Sequence, residues 1–259
     1  MRWECLTGPQ LLRAREASAG VCLVPIGSLE KHGTHMPTGT DTLTAHALCL
    51  AAAERETAVV VPPLYYTHVR EMKNNIGAIA LDTPVLMQMA EILCDEIARN
   101  GFHKIILVNG HGGNRAWLPL MMMDYGDKDK GYAIYMYRDN TMASMSHLRE
   151  SSVHEGHAGE LEASLGLHLF PEYMDMAALA PEPGLPNGLP PVSSYTPVEW
   201  VSMYPDAYAG DAQPAKAEKG RILFDEMVHR LADCIRAVKQ DEDTLAKMQW
   251  FSKAKRSPR

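Results

Sequence analysis

Apolar positions gather into four short unbroken runs in the first half of the chain: "VCLVPIGS" at 21–28, "AVVVPP" at 58–63, "KIILVNG" at 104–110 and "YAIYMYR" at 132–138. A segment apolar at consecutive positions buries both of its faces, which marks a strand inside a sheet covered on both sides. Between the runs the period lengthens. "TLTAHALCLAAAERE" at 42–56 and "TPVLMQMAEILCDEIARNG" at 83–101 carry helical spacing, with Leu86, Met89, Ala90, Leu93 and Ile97 on one stripe and Gly101 as the stop. Alternation of this kind predicts an α/β protein with a mainly parallel sheet and helices on both faces.

Beyond Arg138 the pattern loosens into a polar segment followed by "HEGHAGELEASLGLHLF" at 154–170. The Pro- and Gly-rich "PEPGLPNGLPPVSSYTP" at 181–197 predicts an irregular surface excursion able to cover a site. "AKAEKGRILFDEMVHRLADCIRAV" at 215–238 reads as a long amphipathic helix, and "FSKAKRSPR" at 251–259 as a frayed basic tail. Neither an internal repeat nor an interdomain linker stands out, so residues 1–259 are expected to form a single domain.

Composition narrows the function. Apolar residues make up 46% of the 259 and charged residues 22%, enough to build a substantial core. A formal charge of -7 without a basic stripe argues against nucleic acid as partner, and a small polar substrate is expected instead. The first residues lack the apolar run of a signal peptide and no stretch approaches bilayer length, which points to a cytoplasmic protein away from membranes. Cys5, Cys22, Cys49, Cys94 and Cys234 are scattered, with no CxxC pair, as expected of reduced thiols.

The chemistry concentrates where strands end, which is where open α/β sheets bind ligands. In "GSLEKHGTHMPTGTD" at 27–41, Glu30 and His32 are two apart, so an extended chain projects both to one side, roughly 6 to 7 Å apart at the backbone. Gly33, Pro37 and Gly39 permit a tight loop that returns Asp41 toward them at the start of a helix. "VNGHGGN" places His111 at the end of the third run; a phosphate cradle is the second reading of this loop, disfavoured because it matches neither a Walker A sequence nor GxGxxG. In "HAGELEAS", Glu160 and Glu162 point about 200° apart on a helix, so one of the two suits a cluster, the other being an ordinary helix charge.

With Glu160 as that one, the set of Glu30, His32, Asp41, His111 and Glu160 mixes nitrogen with three carboxylates. Such donors suit Zn²⁺, Mn²⁺ or Fe²⁺. Two divalent ions roughly 3.5 to 4 Å apart would share a carboxylate and a water acidified toward neutral pH.

At these residues the sequence resembles the creatininase (creatinine amidohydrolase) family, through "GSLEKHGTHMPTGTD", "VNGHGGN", "HAGELEAS" and "GDAQPAKAEKG", which span most of the chain. The resemblance implies a three-layer α/β fold, a dinuclear metal centre, hydrolytic chemistry and commonly a homohexamer. It places Glu30, His32, Asp41 and His111 on metal positions, Asp41 as the bridge. Where creatininase has a ligand glutamate, this chain has Gly113, and Glu160 is taken as the replacement. His157 matches the catalytic histidine that carries a proton to the leaving nitrogen, and Glu162 a glutamate that orients or tunes it.

Other departures bear on the substrate. Val153 stands where the creatinine enzyme has a tryptophan closing over its flat ring, and Lys31 and Thr34 replace the usual Gln and Pro. The expectation is therefore a hydrolase that opens a C–N bond in a small, polar, cyclic or formyl amide other than creatinine, with zinc as the first metal and manganese or iron as alternatives. Hydrolysis of a keto-cyclitol or oxidised sugar, and trimming of a cofactor-precursor peptide, are the alternatives on the same centre. A metal-binding hexameric scaffold is the non-enzymatic one, disfavoured because a scaffold has no use for His157. Tyr65, Tyr66 and His68 are candidates to line the pocket, and Arg70, Lys73 and Arg115 are the loop cations that a phosphorylated substrate would need.

Overall fold

The computed structural model describes residues 1–188 and 194–257. Four strands, β1 (Val21–Ile26), β2 (Val59–Val60), β3 (Lys104–Asn109) and β4 (Ala133–Tyr137), form one sheet in the order β2-β1-β3-β4. Every pairing is parallel, with Cys22 opposite Val59 and Ile105, and Ile105 opposite Ile134. The second strand is shorter than its apolar run because Pro62 and Pro63 have no N–H to donate. The chain nevertheless stays beside β1: the Val61 N–H donates to the Leu23 carbonyl and the Leu64 N–H to the Pro25 carbonyl.

Helices cover both faces. On one lie α1 (Gly8–Ala17), α3 (Thr83–Arg99) and α4 (Asn114–Gly126), which pack on Cys22, Val24, Ile26, Ile105 and Leu107. On the other lie α2 (Thr40–Arg55), α6 (Glu160–Leu169) and α8 (Ala217–Gln240), against Val21, Leu23, Ile106 and Val108. Alternate residues of β1 and β3 thus enter opposite cores, which is why these strands are apolar at nearly every position. The result is a three-layer α/β fold with a mainly parallel sheet.

Short helices α5 (Thr141–Ser144) and α7 (Glu199–Met203) interrupt the second half. In the 181–197 excursion, residues 189–193 lie outside the described residues; Gly184 pairs with Gly210 through two backbone hydrogen bonds of 2.7 and 2.9 Å. The expected frayed tail differs: α9 (Asp243–Ala254) carries Phe251 to Ala254 in helix and buries Ser252, while Pro258 and Arg259 lie outside the described residues. Met248 of this helix packs against the core while Trp250 and Phe251 stay exposed, so no clean amphipathic stripe announced it. Among the described residues, no helix is long and apolar enough to cross a membrane.

Candidate metal centre

Two glycines bring the first turn of α2 against the strand ends. A Cβ on Gly27, just past β1, would lie 2.4 Å from the Thr42 backbone nitrogen, and one on Gly110, just past β3, 2.6 Å from the Asp41 carbonyl oxygen. Only glycine permits this approach. Thr42 Oγ1 then donates to the Ser28 carbonyl (3.1 Å) and Ser28 Oγ to Asp41 Oδ2 (2.8 Å), fixing the aspartate at the positive end of the helix.

The intervening loop folds back on itself. The Glu30 N–H donates to the Thr38 carbonyl (3.0 Å), and Gly33 takes φ +58°, a left-handed value that glycine adopts freely. His32 Nδ1 donates to the Glu30 carbonyl (3.2 Å), which turns Nε2 toward Asp41 Oδ1, 3.1 Å away.

At β3 the side chains of Asn109 and Asn114 tie the glycine-rich turn together. Asn109 Nδ2 donates to the His111 carbonyl (2.8 Å), and Asn114 Nδ2 to Asn109 Oδ1 (3.0 Å). His111 Nε2 donates to the His68 carbonyl (2.8 Å), which turns its Nδ1 toward Glu30 Oε1 and Asp41 Oδ2, each 2.8 Å away. Both imidazoles are thus oriented by a backbone carbonyl on the far nitrogen, the arrangement by which proteins aim histidine at a metal.

Donor atoms of Glu30, Asp41 and His111 lie within 4.8 Å of one another, and so do those of His32, Asp41 and Glu162. The two groups share Asp41, whose Oδ2 serves the first and Oδ1 the second. A third grouping, Glu30, His32 and His157, overlaps them within the same distance. Glu30, His32, Asp41 and His111 are all buried.

Burial by itself would lower the His32 imidazole, but the charges of Asp41 and Glu162 overcome it and push it up to about 10. His111 is likewise raised far above its ordinary value against the cost of burial, by hydrogen bonds to Asp41 and Glu30. Burial and the Asp41 charge raise the Glu30 carboxyl; Asp41, despite its burial, is held well below the usual range by His32 and His111. Carboxylates this deep need positive charge beside them, which the two protonated rings supply here and divalent ions would supply in their place; the donor set, hard oxygens with imidazole nitrogen, fits divalent zinc or manganese.

Glu160, the expected fifth donor, stands elsewhere. Its carboxylate accepts the N–H groups of Glu150 (2.8 Å) and Ser151 (2.9 Å) and pairs with Lys219, which is itself buried. Glu162 occupies the place at the cluster instead, with Oε1 3.7 Å from His32 Nε2. The roughly 200° between the two side chains sends one toward α8 and the other toward α2. Glu162 Oε2 also accepts the Ala158 N–H (2.6 Å), holding that alanine at φ +59°, a left-handed conformation unfavourable by about 1 to 2 kcal/mol.

His157 is stacked on His32, ring centroids 4.1 Å apart at 29°, and its Nε2 donates to the Lys31 carbonyl (2.8 Å) rather than to Glu162. Of the pocket candidates, His68 enters through its backbone, Tyr66 is exposed, and Arg70 pairs with Asp82 at 2.9 Å. Sequence reasoning missed Ser28, legible from its place between Gly27 and Glu30, and Trp200, which had no local signal. The Trp200 ring meets His157 edge to face at 5.4 Å and 86°. An open cavity of about 510 Å³ lies alongside, lined in part by Gly33, Thr34, Tyr204, Asp206 and Tyr208.

The family model for creatininase, creatinine amidohydrolase, matches residues 4–235. The chain belongs to the creatininase family. A creatinine amidohydrolase from Pseudomonas putida is 29% identical over 239 residues, covering 85% of this chain and 90% of that protein. A mycofactocin precursor peptide peptidase from Mycolicibacterium smegmatis (strain ATCC 700084 / mc(2)155) is 30% identical over 251 residues, covering 92% and 93%. A solved structure described as "Creatininase Mn" aligns with a TM-score of 0.76 at 26% identity, covering 91% of this chain and 97% of that one. As a creatininase-family protein this chain is a metal-binding hydrolase, and the parallel four-stranded sheet is that of the family.

Proposed function

We propose that this creatininase-family hydrolase cleaves an amide C–N bond on a dinuclear centre, one ion held by Glu30, Asp41 and His111 and the other by His32, Asp41 and Glu162. The observation that carries the reading is the division of Asp41: Oδ1 faces His32 Nε2 at 3.1 Å while Oδ2 faces His111 Nδ1 at 2.8 Å. Two divalent cations bound there would acidify a shared water and polarise a carbonyl. The remaining work falls to the chain. Ser28 steadies Asp41, the His68 and Glu30 carbonyls hold the imidazoles in the metal-binding tautomer, and burial keeps bulk water from the carboxylates.

His157 is the proton carrier in this reading. Its Nε2 is committed as donor to the Lys31 carbonyl, so Nδ1 is the nitrogen free to take up a proton and return it to the leaving amine. The amide assignment draws support from relatives of similar identity named for creatinine and for a precursor peptide, both substrates with a C–N bond to open. Val153 in place of a ring-covering tryptophan favours an amide other than creatinine. Zinc is the first choice of metal, manganese or iron the alternatives, in a single-domain cytoplasmic protein that assembles as a homo-oligomer, a hexamer by family precedent.

The test is metal analysis of the purified chain together with turnover on panels of cyclic, formyl and peptide amides and of keto-cyclitols. Two ions per chain and amide cleavage, both lost in Asp41→Ala, are expected. A fully active, metal-free Asp41→Ala would refute the centre, and activity confined to keto-cyclitols would refute the C–N assignment.

A further inference from the structure

His157 is held at three places, and only two of them belong to the motifs that mark the site. One ring face lies on His32, 4.1 Å between centroids, and Nε2 donates to the Lys31 carbonyl at 2.8 Å. A single hydrogen bond fixes one ring atom and leaves the imidazole free to swing about it. The third contact is Trp200 on α7, perpendicular to the imidazole at 86° and 5.4 Å. Trp200 is itself braced: Tyr204 lies 5.5 Å from it, and it packs against Val69, Met72 and Ala207. The rings of His32, His157, Trp200 and Tyr204 therefore form a continuous ladder from the candidate metal centre to the wall of the 510 Å³ cavity, which Tyr204 lines.

We propose that Trp200 is a positioning residue for His157, closing the side of the imidazole that His32 and Lys31 leave open so that Nδ1 keeps one direction. The inference rests on the reading of His157 as proton carrier for its effect on rate, but its geometric content is independent of any substrate. Edge-to-face aromatic contacts are strong enough to select one ring orientation over another, and a proton carrier misplaced by about 1 Å costs on the order of 10²-fold in rate.

The experiment uses zinc-loaded full-length protein with isotopically labelled histidine, the His157 ring signal being assigned by its loss in His157→Gln. The native protein and Trp200→Phe are expected to give one sharp His157 ring resonance. Trp200→Ala, which shifts the signal in any case by removing the indole ring current, is expected to give a broadened or doubled one, with bound zinc unchanged; should Trp200→Ala fail to fold, Trp200→Leu replaces it. On whichever panel amide is cleaved, Trp200→Ala should lower kcat about 10²-fold with little change in KM. Phenylalanine should restore the rate, and the loss should vanish in a His157→Gln background. A single His157 resonance as sharp in Trp200→Ala as in the native protein, or a rate loss that adds in full to that of His157→Gln, would overturn the proposal. Failure of the wider reading looks different: His157→Gln would keep its kcat while Trp200→Ala still disturbed the resonance.

Discussion

Glu162 Oε1 stands 3.7 Å from His32 Nε2, the same nitrogen that Asp41 Oδ1 approaches at 3.1 Å. His111 Nδ1 is placed in the same way between Glu30 and Asp41. Each imidazole thus faces two carboxylate oxygens, one of them always from Asp41.

This pairing separates two neighbouring glutamates. Glu162→Gln is expected to leave one ion per chain and to reduce turnover severely, whereas Glu160→Gln should retain both ions. Plasma emission metal analysis on dialysed protein distinguishes them; equal metal loss in the two variants would contradict the arrangement.

Glu160 should instead matter for stability. Its carboxylate is held below the ordinary range, where burial, which opposes this, is outweighed by hydrogen bonds from Lys219, Glu150 and Ser151. A carboxylate with a depressed folded-state pKa contributes stability above its unfolded pKa and loses it as pH falls through the folded value. Lys219→Met, which leaves that carboxylate without its partner, should cost about 3 kcal/mol at pH 7 by urea unfolding. The penalty should shrink below the unfolded carboxylate pKa, about 4.3, as Glu160 becomes protonated.

The surroundings of Gly113 admit no side chain. A Cβ would come within 2.6 Å of His111 Nε2 and 2.8 Å of the His68 carbonyl oxygen. Gly113→Ala should therefore break the hydrogen bond that orients His111 and weaken metal binding about 10- to 100-fold, measured by competition with a chromogenic chelator. Gly113→Glu should not act as a replacement ligand in a Glu162→Gln background.

His35 offers a pH prediction. Burial pushes its imidazole down to about 4, and its Nε2 donates to the Ala158 carbonyl at 3.2 Å. A ring kept neutral in the folded state contributes stability above its unfolded pKa of about 6.5 that is lost as pH falls from there toward 4. Chelator-treated protein should thus lose stability more steeply over this window than chelator-treated His35→Gln. Parallel curves from denaturant melts at successive pH values would show that His35 takes no part.

The strands were legible because a strand buried on both faces is apolar at consecutive positions, and β1 and β3 send alternate residues into two separate cores. Glu30, His32, Asp41 and His111 could be nominated because each follows a strand or opens a helix beside glycine, features written within a few residues of one another. The shortening of β2 was also inherent in Pro62 and Pro63. By contrast the last turn of α9, Phe251 to Ala254, was read as part of a basic tail, since Lys253, Lys255 and Arg256 crowd that stretch.

Local pattern alone determined the α/β layering and the loops from which donors come, because burial and chain reversal each leave a short-range mark on residue choice. Tertiary structure decided which glutamate of α6 reaches the centre. Helical geometry sets Glu160 and Glu162 on opposite sides, but the side turned inward depends on how α6 docks, and Lys219 arrives to claim Glu160 from 59 positions further along. Trp200 was invisible for the same reason: its partner His157 is a neighbour in space alone.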